Sequence, residues 1–473
     1  MKLARDIFVS TACLVLWAAA PVSAQQTDQQ GAPIPAYRSP LPGVVDTGTD
    51  GNADGQKTQE PPLSSVQGLT LGLEARRTYW QPHADVSSSG DSNALETPHG
   101  TDWRIWSSVA GGVDVHRVSG KSDLTLSSIA GGTFTNDSTV GNGAVLGLNF
   151  SDKFSFRRSV LAFYDQSNYL PESALGFGGL GAAGGASGGS GAPGLAFNPG
   201  QSVLTGRGQL LNNSDAVELD QYFSARTSLT FSGGYSLLHY FDSNSLFNYG
   251  VLNARGGYNY QATAKDTAGL IYTFSDFRYS ASGRSLMDHT IEASYGRVIT
   301  GRLAFQIAAG PEFVVPSATG TGAGPVSLLP TQTQYLWALN TSLKYQKQRY
   351  GLDLTYNHGV SGGSGVLIGS KTDVVTGSAT RQMSRTFSSS LTGGYSRSQG
   401  LSGTASANQL YDYWFGGVSL SEPVGETLGI TLSYQVQYQT SNSAACVGPT
   451  CGGSVLRQMI SVGVGWHERP LLF

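Results

Sequence analysis

Residues 428–439 read LGITLSYQVQYQ, and an apolar or aromatic side chain occupies every second position from Leu428 to Tyr438. Because successive side chains of a β-strand point to opposite faces of the sheet, this pattern predicts a strand with one apolar and one polar face. The same alternation runs from Leu229 to Leu237, from Leu303 to Ala309 and from Tyr335 to Tyr345. The chain is therefore expected to be built from half-apolar strands.

Alternation along the rest of the chain predicts about 18 strands, or about 16 if the weakest two, 158–168 and 367–383, are absent. Every second connection is a tight turn, such as Thr300-Gly301, while the other connections include all the long ones. Short turns at one end and long loops at the other are typical of outer-membrane barrels. The predicted strands are 66–80, 101–117, 122–135, 143–152, 158–168, 214–225, 227–241, 246–262, 266–280, 285–299, 302–314, 332–346, 350–359, 367–383, 386–398, 408–420, 427–441 and 454–468. The long connections are 81–100, 169–213, 315–331 and 442–453.

The composition agrees with such a barrel. Charged residues are 13% of the chain, whereas Gly reaches 63 residues and Tyr 22. Beyond the first 24 residues there is no apolar run of about 20 residues, so no transmembrane helix is predicted. We expect an all-β fold, a single antiparallel up-and-down transmembrane β-barrel with short periplasmic turns and long outer loops. The net charge of −3 argues against a nucleic-acid partner.

The N-terminal region predicts export. Lys2 and Arg5 precede an apolar stretch, and small residues follow at Val22-Ser23-Ala24, so residues 1–24 are interpreted as a signal peptide. Residues 25–65 are rich in Gln, Pro, Gly, Asp and Thr, which predicts a disordered periplasmic leader, or alternatively a plug inside the barrel. Residues 66–473 are assigned to the barrel, and the expected location is the outer membrane of a Gram-negative cell.

Two cysteines remain after cleavage at residue 24. Cys446 and Cys451 lie in a segment that contains Gly and Pro, and an exported protein passes through an oxidising compartment. They are expected to form a small disulfide ring, with two free thiols as the alternative.

The C-terminal sequence ISVGVGWHERPLLF, residues 460–473, resembles the last strand of outer-membrane proteins, which alternates apolar residues and ends on an aromatic residue. In that family the barrel-assembly machinery recognises this strand, so the resemblance implies this machinery and outer-membrane lipid as partners. Pro470 departs from the pattern because it cannot pair within a strand. Pairing is expected to end near Trp466 or His467, with Phe473 in a short tail.

Alternation also places several charged residues on the inward face of the predicted barrel. An Arg or Lys facing the middle of the bilayer would cost ~2–4 kcal/mol, so these charges are expected in the lumen. They either select a solute or pair with each other across neighbouring strands. The candidates that line the lumen are Arg104, Asp114, His116, Glu218, Asp220, Arg255, Glu292, Lys344 and Asp353.

The third outer connection, 169–213, is the longest. General and sugar-specific porins have a third loop that folds into the lumen, and this resemblance makes 169–213 a candidate constriction. Its Gly-rich run from Gly176 to Gly200 would lose much conformational entropy on ordering, so a mobile surface loop is the alternative. Gly179, Gly181 and Gly184 form a G-x-G-x-x-G pattern, but no helix is predicted after it and no phosphate site is inferred.

Aromatic residues near the predicted strand ends are interpreted as an interfacial girdle, with a stacking track for sugars as the alternative. None of the seven histidines lies in a motif with a nucleophile or in a metal-ligand cluster, so no enzyme, cofactor or metal site is predicted. The aromatic residues are Trp80, Trp103, Tyr240, Phe277, Tyr279, Tyr345, Tyr350 and Trp466.

A barrel of about 16 to 18 strands is wide enough to leave an aqueous channel. We therefore expect passive diffusion of small hydrophilic solutes, with selectivity set by the luminal charges and loop 169–213. One alternative is a polysaccharide-export barrel, although the resemblance to exporters of acidic sugars is weakened by an inward face that leans acidic. The other is a non-conducting surface barrel that binds partners through its outer loops. The sequence leaves the solute and the oligomeric state open.

Overall fold

The computed structural model describes 18 long strands and one strand of two residues. Its described residues are 78–94, 100, 102–135, 142–170, 203, 209–241, 248–280, 284–318, 332–347, 349–363, 366–384, 386–401, 409–442, 453–469 and 471–472. The strands are β1 Tyr79–Asp91, β2 Arg104–Val118, β3 Ser122–Thr135, β4 Gly143–Ser155, β5 Ser159–Leu170, β6 Leu210–Tyr222, β7 Thr227–Tyr240, β8 Tyr249–Gln261, β9 Asp266–Tyr279, β10 Arg284–Thr300, β11 Leu303–Ala318, β12 Gln334–Lys347, β13 Tyr350–Ser361, β14 Ser370–Gln382, β15 Ser388–Gly400, β16 Leu410–Val424, β17 Leu428–Ser441, β18 Ser454–His467 and β19 Leu471–Leu472.

The strands form one closed antiparallel sheet. Each strand from β1 to β17 pairs with the next along the chain, and β1 pairs with β18 from His83 opposite His467 to Asp91 opposite Met459. Closure leaves no free sheet edge, which is the only way in which a sheet can satisfy its backbone groups within lipid. Within the described ranges, there is no helix with the length and hydrophobicity that a membrane crossing requires.

The two faces of the sheet differ in chemistry, and β17 shows this most clearly. Leu428 and Leu432 are 40% and 45% exposed, while Thr431 between them is 2% exposed. The exposed face of the other strands is also mainly aliphatic and aromatic, with Phe231 and Leu391 among its most exposed side chains. An apolar surface around the whole barrel is suited to lipid, so the buried face is the luminal one.

The predicted strands are largely confirmed. β3 spans the predicted residues 122–135, and the other strands from β2 to β18 lie within a few residues of their predicted bounds. The weakest predictions, 158–168 and 367–383, correspond to β5 and β14, so the count is 18 and the alternative of 16 is wrong. The connections after even-numbered strands contain no more than five residues each.

The first strand was predicted in the wrong place. β1 spans Tyr79–Asp91, so the segment predicted as the long connection 81–100 is mostly strand, and residues 66–77 lie outside the described residues. Its polar positions alternate from Gln81 to Asp91 and are buried. The outward positions include Pro82, Ala84 and Ser88, which carry too little apolar surface to reveal the period.

The turn between β16 and β17 also differs from its prediction. β16 continues to Val424, beyond its predicted end at residue 420, and the turn consists of residues 425–427. Gly425 has a φ of 77°, in the left-handed region that Gly adopts without steric cost. The position of this glycine therefore determines where the chain reverses.

The C-terminal end is partly as predicted. β18 ends at His467, but Leu471 and Leu472 resume pairing with Trp80 and Tyr79 of β1. Phe473 lies outside the described residues, as do the signal peptide 1–24, the leader 25–65 and the pair Cys446 and Cys451, which all stay predictions.

Candidate functional site

All nine charged residues that the sequence assigned to the lumen lie on the buried face of their strands. Asp114, Glu218, Asp220 and Glu292 are buried, and the remaining five are only partly accessible. Their role in choosing a solute stays a prediction. The structure separates the nine into distinct groups around the barrel wall.

The first group follows one row of paired residues across six strands. Glu218 of β6, Arg255 of β8 and Glu312 of β11 lie on this row, linked by Ser232, Thr273 and Thr290 on the strands between them. Glu292 lies two residues from Thr290 on β10 and interacts electrostatically with Arg255, as does Glu218. We call Glu218, Arg255, Asp288, Glu292 and Glu312 the luminal belt.

Two carboxyl groups of the belt face each other. The carboxyl groups of Asp288 on β10 and Glu312 on β11 interact electrostatically. Glu312 Oε1 accepts the backbone N–H of Val360 at 2.9 Å, and Asp288 Oδ2 accepts the hydroxyl of Thr290 at 3.2 Å. Asp288 Oδ1 and Glu312 Oε2 are buried and have no hydrogen-bond partner. The belt therefore presents acceptor atoms without donors.

The carboxylate of Glu292 has more polar contacts than those of Asp288 and Glu312. The side-chain amide of Asn340 donates to Glu292 Oε1 at 2.6 Å, and Arg255 lies nearby. The sequence prediction did not include Asp288 and Glu312 among the residues that line the lumen. Their positions in the alternating pattern nevertheless place both on the inward face. Glu312 lies between the outward Pro311 and Phe313, and Asp288 shares the parity of Glu292.

A second group lies on β1, β2 and the start of β3. His83 Nδ1 is 3.4 Å from Asp114 Oδ2, and His116 Nε2 is 2.9 Å from Asp123 Oδ1. Asp85 is 3% exposed, and neither of its carboxylate oxygens has a hydrogen-bond partner. Since His83 and Asp85 belong to the misplaced first strand, the sequence prediction missed both.

The third group joins the first and last strands. Arg457 of β18 donates to Asp91 Oδ2 of β1 through Nε at 2.8 Å and Nη2 at 2.5 Å, and both side chains are fully buried. Ser89 and Ser461 share a hydrogen bond of 2.7 Å beside this ion pair. The barrel is therefore closed by luminal side chains as well as by backbone pairing.

The remaining predicted residues are scattered. Lys344 of β12 is opposite Asp353 of β13, and Arg104 of β2 is opposite Asp91. Asp220 accepts the hydroxyl of Thr230 at 2.6 Å. Lys344 and Asp353 interact electrostatically, and the choice between solute selection and pairing among the nine residues stays a prediction.

Apolar side chains form a second luminal feature, at the end with the long connections. The segment 362–369 between β13 and β14 contributes Val366, Leu367 and Ile368, which pack in one buried cluster with residues of β8 to β11. The hydroxyl of Tyr279 donates to the carbonyl of Gly362 at 3.3 Å. We call this cluster the apolar collar; its members used below are Tyr249, Phe277, Tyr279, Leu286, Val314, Val366, Leu367 and Ile368.

Glycines allow the segment to take this path. A Cβ on Gly362 would lie 2.4 Å from the ring of Tyr249, and Gly363 and Gly369 have φ values of 83° and 73°. The sequence prediction began strand β14 at residue 367, which is wrong because β14 begins at Ser370. The three consecutive apolar residues Val366, Leu367 and Ile368 break the alternation, and this break indicates that the strand begins after them.

The predicted constriction, 169–213, is only partly described. Val203 is 1% exposed and belongs to the same buried cluster as the collar. Residues 171–202 and 204–208 lie outside the described residues, so their role stays a prediction. In the described part of the chain, Val366, Leu367 and Ile368 form the buried cluster together with strand residues and Val203.

The predicted aromatic girdle is partly corrected. Trp80, Trp103, Tyr350 and Trp466 are exposed on the outer surface. Tyr240, Phe277 and Tyr279 instead belong to the buried luminal cluster, because they share the parity of the inward residues on their strands. An outward row that the sequence did not single out joins Tyr356, Val375, Tyr395, Trp414 and Tyr438 across β13 to β17.

Among the described residues, no group of three or more His, Cys, Asp or Glu side chains has an arrangement that could hold a metal ion. His358 Nδ1 lies 2.6 Å from Asp373 Oδ1. This pair lies on the outward face, where His358 stacks on Trp337.

The closed antiparallel sheet, the apolar outer surface and the charged inner face define a transmembrane β-barrel with a polar lumen. No protein-family model and no curated protein matches the sequence.

Several solved structures resemble the fold. Pseudomonas aeruginosa OccK2 (OpdF) in complex with glucuronate has a TM-score of 0.43 and 9% identity, over 84% of this chain and 98% of that chain. Pseudomonas aeruginosa OpdK with vanillate has a TM-score of 0.38 and 8% identity, over 82% and 98%. Acinetobacter baumannii OccAB3 has a TM-score of 0.39 and 9% identity, over 83% and 99%. Identities this low concern the fold alone.

Proposed function

We propose that this chain is an outer-membrane channel through which small hydrophilic solutes diffuse passively. The observation that carries the proposal is a closed barrel of 18 strands whose inward face bears charged residues on strands that include β1, β2, β6, β8, β10 to β13 and β18. A barrel of this width leaves an aqueous channel, whereas about eight strands would be filled by side chains. Charged side chains in the lumen also act on the ions and solutes that enter it.

The barrel is proposed to lie in the outer membrane, with the short turns in the periplasm. In this orientation the apolar collar narrows the outer part of the channel and the luminal belt lies just below it. Lipid surrounds the apolar outer surface, and the barrel-assembly machinery is the proposed partner for insertion. No catalytic role is proposed.

Single-channel recording tests the proposal. The refolded protein, shown to be folded by its β-sheet circular dichroism and by its heat-sensitive mobility on gels, is added to a planar bilayer. We expect stepwise currents and, under a KCl gradient, a reversal potential that indicates cation preference. Silence from protein that passes both folding checks would refute the diffusion channel.

The apolar collar favours one alternative, a non-conducting barrel that binds partners through its outer loops. Val366, Leu367 and Ile368 place an apolar surface in the lumen, and hydrophobic constrictions can close a pore by excluding water. A variant with Ser at these three positions discriminates the two functions. Currents from both proteins support a channel, whereas silence of the native barrel and currents from the variant support the plugged alternative.

A polysaccharide-export barrel receives no comparable support. The luminal belt holds four carboxyl groups and one guanidinium group, Arg255. A lumen with this balance repels an anionic polymer.

A further inference from the structure

Asp288 and Glu312 form an incomplete polar site in the wall of the lumen. Both are at least nine-tenths buried, and each has one carboxylate oxygen without a hydrogen-bond partner. A buried acceptor without a donor has lost its hydrogen bonds to water without forming new ones, which costs free energy. Such atoms usually contact a ligand or a bound water. The two residues lie on neighbouring strands, where Asp288 is opposite Val314 and Glu312 is opposite Thr290.

The side chains around Asp288 and Glu312 supply too little positive charge to balance two carboxylates. Arg255 is the nearest guanidinium group of the belt, but its electrostatic partners are Glu292 and Glu218. Lys371 of β14 interacts only weakly with Glu312. Two carboxyl groups held together in a poorly hydrated wall require a positive charge, either a shared proton or a bound cation.

Apolar side chains of the collar border the pair on its outer side. Leu286 is two residues from Asp288 on the same face of β10, and its paired neighbour on β9 is Phe277. Val314 is two residues from Glu312 on β11. Carboxylate oxygens therefore lie next to aliphatic and aromatic side chains, which is the combination that recognises an ammonium group attached to a hydrocarbon body.

We propose that Asp288 and Glu312 bind the ammonium group of a small organic cation whose hydrocarbon part lies beside the apolar collar. The inference deepens the proposed channel function, on which it rests, by naming the class of solute. A bare metal ion would not use the collar, and a carboxylate solute would be repelled by the pair.

Benzylammonium is the probe, and benzoate is its anionic counterpart of similar shape. Benzylammonium added to one side of the bilayer is expected to block the KCl current in a saturable way, whereas benzoate at the same concentration leaves the current unchanged. In D288N/E312Q, the dissociation constant of the block is expected to rise by about tenfold or more, as for loss of a charge-assisted hydrogen bond. D353N removes a different luminal carboxylate, which is opposite Lys344, and is expected to keep the native constant.

Equal block of the native protein and D288N/E312Q would overturn the inference, and so would equal block by benzoate. Competition by Ca²⁺ at far lower concentrations than benzylammonium would reassign the pair to a metal ion.

Calorimetric titration of benzylammonium into the folded barrel in detergent separates this inference from the proposed function. Binding that D288N/E312Q abolishes supports the site even if every barrel is silent in the bilayer. Currents without benzylammonium binding would leave the channel standing and refute the site.

Discussion

Replacement of Arg457 with Met tests how the barrel is closed. The change removes two hydrogen bonds to Asp91, of 2.8 and 2.5 Å, from a site where both side chains are fully buried. The Asn93 backbone N–H, 3.0 Å from Asp91 Oδ1, stays in place but carries no charge to balance the carboxylate. Breaking a buried ion pair by removing one partner costs about 3–5 kcal/mol, because Asp91 loses the guanidinium group that donates to it. Arg104, opposite Asp91 on β2, is a remaining nearby cation.

The assay is reversible unfolding in urea of the barrel in lipid vesicles. We expect the R457M midpoint to fall with an unchanged slope, which indicates a change in stability rather than in the surface exposed on unfolding. A loss of about 4 kcal/mol would raise the unfolding equilibrium constant by roughly a thousandfold. Arg397 is the matched control: it is exposed on β15, and R397M is expected to cost less than about 1 kcal/mol.

The double variant D91N/R457M completes the test. It removes both charges, so its loss of stability is expected to be smaller than the sum of the two single losses, since interacting residues are not additive. The reasoning would be refuted if R457M cost no more than R397M, or if the single losses simply added.

Three further predictions concern the lumen and the turns. Removal of a luminal carboxylate by E292Q is expected to move the reversal potential under a KCl gradient toward zero, and an unchanged potential would exclude the belt from ion selection. L367S replaces an apolar side chain of the collar with a polar one and is expected to raise single-channel conductance, because water enters a polar constriction more easily. A conductance equal to that of the native protein would contradict a constriction at this position. Gly425 has a φ of 77°, and a Cβ added there would meet no other atom, so G425A is expected to lower the free energy of unfolding in urea by about 1–2 kcal/mol through backbone strain alone. Gly120→Ala, at a glycine without positive φ, is the control, and an equal cost for both variants would contradict the backbone argument.

The prediction of strands from sequence succeeded where the outward side chains were large. β17 and β12 carry Leu, Tyr or Trp at most outward positions, so their period and their bounds were clear. β1 has the same period in its polar residues, but its outward side chains are small and its apolar signal is weak. An alternation of inward polar residues, read with equal weight, would have found it.

The prediction of the site was limited in a different way. Parity along a strand assigned Glu218, Arg255 and Glu292 to the lumen, and the same parity would have added Asp288 and Glu312. No local pattern shows that Asp288 and Glu312 face each other, because their contact depends on the register between β10 and β11. The packing of Val366, Leu367 and Ile368 likewise depends on how far their segment lies from β8 to β11, which are distant in the sequence.

The sequence by itself determined the class of fold, because alternation is a local property and each strand needs only its neighbours to satisfy its backbone. It also determined which side chains of most strands face inward. The tertiary structure alone decided that Arg457 closes the barrel on Asp91, that Val366 to Ile368 enter the lumen, and that two carboxylates meet below the collar. These contacts join residues up to 366 positions apart, whose separation is set by closure of the sheet and not by any periodicity along the chain.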